Sequence, residues 1–282
     1  MVNRMTTLSS NDIPSICDYI EYTAFLKGQY GIDSYYTEDD NTDDEDVSSG
    51  TSQKKDIKTS LLQRLKLYGS YKPYKLKGDT VISNFDNDSL RQQNLHYLFC
   101  LYYSLNGGYQ STRDITTLFE RIVESAIKNY LNTPCSILTS FGNNDQTIKE
   151  KIHKLVQETK ENIGDLSLMP AHAKDGGIDI VTYKPLDERG NQIIVLTDAT
   201  IGKNWKEKNV YSKIKHWEQY IHFKNDPITC LAIAGIIPSE NFHSASRDNG
   251  LLFDRTRIMG YYIPQDKIQE DLENWRTKLC IS

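Results

Sequence analysis

Residues 228–237 (ITCLAIAGII) form an almost unbroken apolar run. A strand with one face in water would alternate polar and apolar side chains, and this segment does not. A run of this kind is typical of a central strand that is covered on both faces, as in sheets flanked by helices. It therefore predicts a layered α/β or α+β fold.

The segments around this strand switch between helical and strand patterns. Residues 114–131 predict a strongly amphipathic helix. Residues 178–184 and 192–200 are rich in β-branched side chains and are joined by PLDERGN, a typical hairpin turn. Three further elements are predicted downstream: a helix at 204–223, a strand at 257–263 and a last helix at 265–279. This order predicts a mixed sheet flanked by helices.

The first part of the chain has a different character. We interpret residues 1–110 as a helical module that precedes a domain of residues 111–282. Within the module, residues 33–58 are first acidic and then rich in Ser, Gly and Lys, a composition that predicts a flexible loop. Seven acids between residues 38 and 46 account for the net charge of −5. The remainder is slightly basic, so the overall charge does not exclude a nucleic-acid partner.

Cysteine usage and hydropathy exclude several classes of protein. Five cysteines are scattered without a CxxC pair, which favours free thiols in a reducing cytoplasm over a zinc site. No window holds the ~18 consecutive apolar residues of a membrane-spanning helix, and the first residues contain no apolar signal core. Motifs of nucleotide hydrolases, dinucleotide-dependent oxidoreductases and serine esterases are missing. We therefore expect a cytoplasmic protein without a membrane partner.

The densest polar cluster surrounds the predicted hairpin. Gly176 and Gly177 allow a sharp turn before Asp179 opens the first strand, and Asp198 lies between apolar neighbours in the second. A carboxylate inside a strand is costly unless it is paired or binds a metal ion. Carboxylates on adjacent antiparallel strands can lie within ~5 Å of each other, which suits Mg²⁺. The alternative is one aspartate that stabilises a turn and one that forms an ion pair.

A basic segment follows the hairpin. Lys203, Lys206 and Lys208 lie directly after the second strand, and further lysines follow up to residue 215. A lysine close to the carboxylates can stabilise developing charge on a phosphate, and its neighbours can bind flanking phosphates. The alternative is an ordinary exposed helix face. These residues are our candidates for nucleic-acid binding.

Together these features resemble the PD-(D/E)xK superfamily of nucleases, whose fold is restriction-endonuclease-like. The resemblance is carried by DGGIDIV, the hairpin, an acid in its second strand with a lysine beyond it, and a preceding helix that bears Glu120. It implies a core of order α-β-β-β-α-β, in which residues 136–141 are our candidate for the first strand. It also implies that Asp179, Asp198 and Glu120 are catalytic carboxylates that hold Mg²⁺ or Mn²⁺.

The sequence departs from the family pattern at Thr200. The pattern has a lysine two residues after the strand acid, on the same face of the strand. Lys203 is the nearest replacement and our candidate for the catalytic lysine, and Lys206 is the next.

The resemblance implies a metal-dependent endonuclease that cleaves DNA, with RNA as the alternative substrate. A vaguer similarity to nuclease-like proteins of bacterial anti-phage defence systems implies a partner protein from the same system, such as an ATPase or helicase. The competing hypothesis is a catalytically inactive subunit that keeps the nuclease fold and acts as a binding scaffold. Thr200 is the best argument for this second hypothesis.

Overall fold

The computed structural model describes residues 12–37, 47–108, 111–139, 147–168 and 176–280, with the side chains of 37, 47–51 and 168 left out. Throughout that part of the chain, no helix is long and apolar enough to cross a membrane. The fold is mixed α/β, as predicted from the apolar strand and the hairpin.

The first part of the chain combines five helices with a small antiparallel sheet. The helices are α1 (Ile13–Lys27), α2 (Ile32–Thr37), α3 (Val47–Leu67), α4 (Asp88–Gln93) and α5 (Leu95–Asn106). The strands are β1 (Gln29–Gly31), β2 (Tyr74–Lys77) and β3 (Thr80–Ser83), and they pair in the order β1-β3-β2.

The loop predicted over residues 33–58 is corrected by this arrangement. Residues 33–37 belong to α2 and residues 47–58 to α3, while residues 38–46 lie outside the described residues. Although α3 is mostly polar, it has a narrow apolar stripe in which Ile57 and Leu61 are fully buried. Packing of this stripe against α1 stabilises a helix that composition alone does not predict.

The second part of the chain contains a five-stranded mixed sheet with helices on both faces. In chain order its elements are α6 (Arg113–Leu131), β4 (Ser136–Leu138), α7 (Ile148–Thr159), β5 (Asn162–Ile163), β6 (Ile180–Lys184), β7 (Ile193–Thr200), α8 (Tyr211–Tyr220), β8 (Ile221–His222), β9 (Ile228–Ile233), α9 (Ser239–Asn249), β10 (Leu251–Phe253), α10 (Arg255–Tyr261) and α11 (Asp266–Lys278). The large sheet has the order β10-β9-β7-β6-β4, and β5 pairs with β8 separately.

Strand directions in the large sheet follow the lengths of the connections. β6 is antiparallel to both of its neighbours, β4 and β7, whereas β7, β9 and β10 run parallel. The hairpin joins β6 to β7 directly, and helices carry the chain back for each parallel pair. The strand predicted at 257–263 is instead α10, because the side chain of Asp254 caps the backbone N–H groups of Thr256 and Arg257 and so begins a helix.

Alternate residues of β7 face opposite layers of the domain. Val195 belongs to the core packed against α6, and we call this side of the sheet the α6 face. Leu196 belongs to a second core that includes residues of α7 and α8, and we call that side the α8 face. Because side chains alternate along a strand, Asp198 lies on the α8 face and Ala199 on the α6 face.

A buried ionic cluster connects the two parts of the chain. Arg64 of α3 donates to Asp18 and Glu21 of α1 at 2.6 and 2.8 Å. Arg255, fully buried at the start of α10, donates to Asp18 and, through Nε, to the hydroxyl of Tyr68. Although burial opposes ionisation, the guanidinium groups of Arg255 and Arg64 lower the pKa of Asp18 to about 2. The cluster therefore holds four buried charges, each paired with an opposite charge.

Candidate functional site

The hairpin places Asp179 and Asp198 at the same point of the sheet, as the sequence predicts. The β6–β7 register pairs Ile180 with Thr197, so Asp179, one residue earlier, lies opposite Asp198. The backbone N–H of Asp179 donates to the carbonyl of Thr197 at 2.8 Å, which extends the ladder to this position. The carboxylate of Asp179 accepts the backbone N–H of Ala199 at 2.7 Å. One of its oxygens therefore fixes the end of β7.

Two glycines let helix α8 close over this point. Gly176 and Gly177 both have positive φ, +60° and +75°, which glycine adopts without strain. A Cβ on Gly177 would lie 2.9 Å from the Cε of Lys213, and one on Gly176 would lie 3.0 Å from the indole nitrogen of Trp217. Without side chains, the turn allows Lys213 to donate to the carbonyl of Gly177 at 2.7 Å.

Asp198 is 2% exposed and is contacted by two ammonium groups. The Nζ of Lys208 lies 3.4 and 3.3 Å from its two carboxylate oxygens, and the Nζ of Lys213 donates to Oδ2. Lys208 follows a 3₁₀ turn at Lys203–Glu207, and Lys213 lies in the first turn of α8. Together with Asp179, the site holds two carboxylates and two ammonium groups, so their charges balance, and the ammonium groups are its donors to an anion such as a phosphate.

The structure places the two lysines that we favoured for catalysis elsewhere. Lys203 is exposed, and its aliphatic stem lies on Gly107, where a Cβ would be 3.0 Å from Cγ of the lysine. Lys206 is also exposed, with its Nζ 5.7 Å from the centre of the Trp205 ring. Lys208, expected only to bind phosphates, is one of the two lysines on Asp198. The chain turns away after Gly202, so Lys203 does not fold back over the carboxylates as we expected.

Glu120 is 5% exposed and belongs to α6, which packs on the opposite face of the sheet from Asp198. Over the described ranges, no three His, Cys, Asp or Glu side chains lie together in a way that could hold a metal ion. Strand alternation directs Asp198 toward α8, so the structure places Glu120 and Asp198 on different layers of the domain.

Lys213 is the residue that sequence reasoning did not single out. It stood among the basic residues after the hairpin, where an exposed helix face was an equally good interpretation. A usable signal was its spacing from Trp217, because residues four apart share one face of a helix. Trp217 is buried at the Gly176–Gly177 turn, so the same face of α8 directs Lys213 toward Asp198.

Comparison with known proteins leaves the site to be interpreted from its own geometry. No protein-family model, no curated protein and no solved structure matches this chain.

Proposed function

We propose that this chain is a metal-dependent endonuclease that cleaves phosphodiester bonds in DNA, with Lys213 in the role that the sequence assigned to Lys203. The observation that carries the proposal is the buried carboxylate of Asp198, contacted by two lysines and lying opposite a second aspartate at the end of a strand. A strand acid beside a lysine is the combination that the PD-(D/E)xK pattern requires. Here the lysine comes from α8, and Thr200 stands at its usual position.

The order of elements supports the same proposal. Along the chain, α6, β4, β6, β7, α8 and β9 follow the α-β-β-β-α-β order implied by the resemblance, with α7 and β5 inserted after β4 and β8 inserted after α8. The candidate first strand, 136–141, is β4 over Ser136–Leu138, and Ser140 and Phe141 lie outside the described residues.

The donor set suits magnesium better than a metal that needs a complete protein cage. Mg²⁺ commonly binds through one or two carboxylates and completes its shell with water and substrate phosphates. Asp179 and Asp198 would supply those carboxylates. When bound, such an ion polarises the phosphate and lowers the pKa of a coordinated water molecule.

The lysines have separate roles in this proposal. Lys213 is held by the carbonyl of Gly177 as well as by Asp198, so it keeps one anchor when a cation or substrate engages the carboxylate. Its ammonium group would then stabilise negative charge that develops on the phosphate. Lys208, attached only through contacts of 3.3–3.4 Å, is free to bind a flanking phosphate.

Cleavage of covalently closed plasmid DNA tests the function. We expect nicked and linear products with Mg²⁺ or Mn²⁺ and none with EDTA, and a parallel incubation with RNA decides between the two substrates. Asp198→Asn should remove the activity, whereas Asp226→Asn, at an exposed aspartate before β9, should retain it. Intact plasmid under all metal conditions would contradict the proposal.

The inactive scaffold remains the second candidate because of one specific observation. Asp179 binds a backbone N–H and Asp198 is ion-paired, which is the purely structural arrangement of the two aspartates. Under this alternative the protein binds DNA equally well with and without Mg²⁺, and plasmid stays intact. The anti-phage setting and an ATPase or helicase partner belong to the nuclease proposal, and co-purification with the products of neighbouring genes tests them.

A further inference from the structure

A pocket of about 250 Å³ opens at the end of β7. Its lining consists of Gly107, Gly108, Ser111, Thr116, Phe119 and the segment 199–202. Ala199 and Phe119 place it on the α6 face of the sheet, whereas Asp198 lies on the α8 face. The body of the pocket therefore lies on the opposite side of β7 from the cluster of aspartates and lysines described above, although both are near the end of that strand.

Two glycine-containing turns form one wall of the pocket. Gly108 packs against Gly202 so closely that a Cβ on Gly108 would lie 3.4 Å from the Cα of Gly202. The lack of side chains at Gly107, Gly108 and Gly202 thus lets the two turns pack together into one wall, with the stem of Lys203 lying on Gly107. At 250 Å³ the pocket falls below the ~300 Å³ at which sites for drug-sized ligands begin, so it suits a single ring system.

The chemistry of the lining combines an apolar base with polar groups. Half-buried Ala199 supplies apolar surface beside the buried Phe119 and Ile201, and the hydroxyls of Ser111, Thr116 and Thr200 supply hydrogen-bonding groups. A flat ring with polar edges matches this combination, because its face packs on apolar surface while its edge meets hydroxyl and backbone groups.

Lys203 adds a positive charge beside the pocket. It follows Gly202 directly, and its stem crosses Gly107, so two residues of the pocket wall contact or adjoin it. Its side chain is exposed, which leaves the ammonium group open to a phosphate. A ring in the pocket with a phosphate at Lys203 describes one nucleotide unit.

We propose that this pocket binds one nucleobase of a nucleic-acid strand, with Lys203 on an adjacent phosphate; the proposal rests on the nuclease function and names the subsite next to its reacting phosphate. Ala199 and Thr200 follow Asp198 directly, and strand residues rise about 3.3 Å each. Thr200 shares the face of Asp198 by alternation and also lines the pocket, so the two sites meet where β7 ends. Lys203 thereby acquires a role in binding and not in catalysis.

Equilibrium binding in EDTA tests the pocket without any cleavage. Fluorescein-labelled single-stranded homopolymers of each of the four bases are compared with a deoxyribose-phosphate oligomer of equal length that lacks bases. We expect the best homopolymer to bind about tenfold more tightly than the oligomer without bases, the lower part of the range for stacking one base. Thr116→Trp fills the pocket and should remove this preference. Thr117→Trp, one residue further along α6 and outside the lining, should keep it.

Ser111→Trp is the second blocking variant, because Ser111 is exposed at the rim and tolerates a large side chain more easily. Melting temperatures establish that each variant is folded. Equal binding of all oligomers by the wild type, or an unchanged preference in folded Ser111→Trp and Thr116→Trp, overturns the pocket. Base-dependent binding that both variants lose, in a protein that leaves plasmid intact, overturns the nuclease function and supports the pocket.

Discussion

The ammonium group of Lys213 contacts the carboxylate of Asp198, although α8 and β7 are separated by a 3₁₀ turn and a short loop. The same ammonium group donates to the carbonyl of Gly177 at 2.7 Å, so it bridges the hairpin's two strands near their common end. If the site is catalytic, this lysine and this carboxylate act as a pair.

Substitution of Lys213 and of a neighbouring lysine distinguishes the role of Lys213 from that of the other lysines in the basic segment. We expect Lys213→Ala to lower plasmid cleavage at least a hundredfold, because the group that stabilises charge on the phosphate is removed. Lys215→Ala, at an exposed position two residues further along α8, should change the rate less than threefold. Initial rates of supercoil loss give both values. Equal rates for the two variants would exclude Lys213 from catalysis.

Lys203→Ala should weaken binding of DNA and leave the maximal rate unchanged. The exposed side chain of Lys203 lies on Gly107 beside the pocket, so we expect it to contact a phosphate of the bound DNA and not the reacting group. Rates measured over a range of DNA concentrations distinguish the two effects. A loss of maximal rate equal to that of Lys213→Ala would return Lys203 to the catalytic role.

Two substitutions at Asp179 distinguish its charge from its hydrogen bond. Asn keeps an oxygen that can accept the N–H of Ala199, whereas Ala leaves that N–H at the end of β7 without this partner. We therefore expect Asp179→Asn to lose cleavage while its melting temperature stays near that of the wild type. Asp179→Ala should lose cleavage and about 1 kcal/mol of stability as well. A cleaving Asp179→Asn protein would show that the carboxylate is purely structural.

Breaking the buried ionic cluster should be far more costly than breaking a surface pair. Asp18→Asn leaves Arg255 and Arg64 with one carboxylate, Glu21, and we expect a loss of about 3 kcal/mol in urea unfolding. Asp79→Asn is the control, since Asp79 pairs with Lys54 and Lys58 at the surface, and it should change stability little. Equal effects of the two substitutions would mean that Asp18 carries no net stabilisation.

Because His96 is buried, we expect the protein to lose stability in mild acid. Burial lowers the pKa of His96 to about 3, against an ordinary value of 6.5. The unfolded chain therefore binds a proton between about pH 6.5 and pH 3 that the folded chain does not bind, and stability falls as the pH drops through this window. The contribution reaches about 2 kcal/mol by pH 5. We expect His96→Phe to have a flatter profile of unfolding free energy against pH from 7 to 5. An unchanged slope would show that His96 is protonated in the folded state.

Local patterns predicted the sheet and the position of the aspartates. β6, β7 and β9 follow from β-branched and apolar runs, and the hairpin turn fixes which strands are neighbours. This was enough to place Asp179 and Asp198 opposite each other. The strand positions and the pairing of the two aspartates depend on residues that are close together in the chain, so they can be predicted from local sequence patterns.

Lys213 and the first half of α3, residues 47–58, were not predicted because they depend on distant partners, whereas the helical pattern at 59–68 predicts the second half of α3. The helix predicted at 204–223 is interrupted after Glu207, and this interruption decides which lysine reaches Asp198. The buried Arg64 of α3 has its carboxylates 43 and 46 residues earlier in the chain. A polar segment rich in Ser and Lys, such as residues 47–58, predicts a loop unless the elements that pack on it are known.

The bond between Arg255 and Asp18 joins residues 237 positions apart, which has a consequence for biosynthesis. Helix α1 leaves the ribosome long before α10 is translated, so Asp18 and Glu21 then have only Arg64 to neutralise them. A nascent chain stopped before α10 would bury an unbalanced negative charge or keep these helices open to water. Completion of the fold thus waits until α10 has been translated, and nascent chains that stop before it should be recognised by proteases as unfinished.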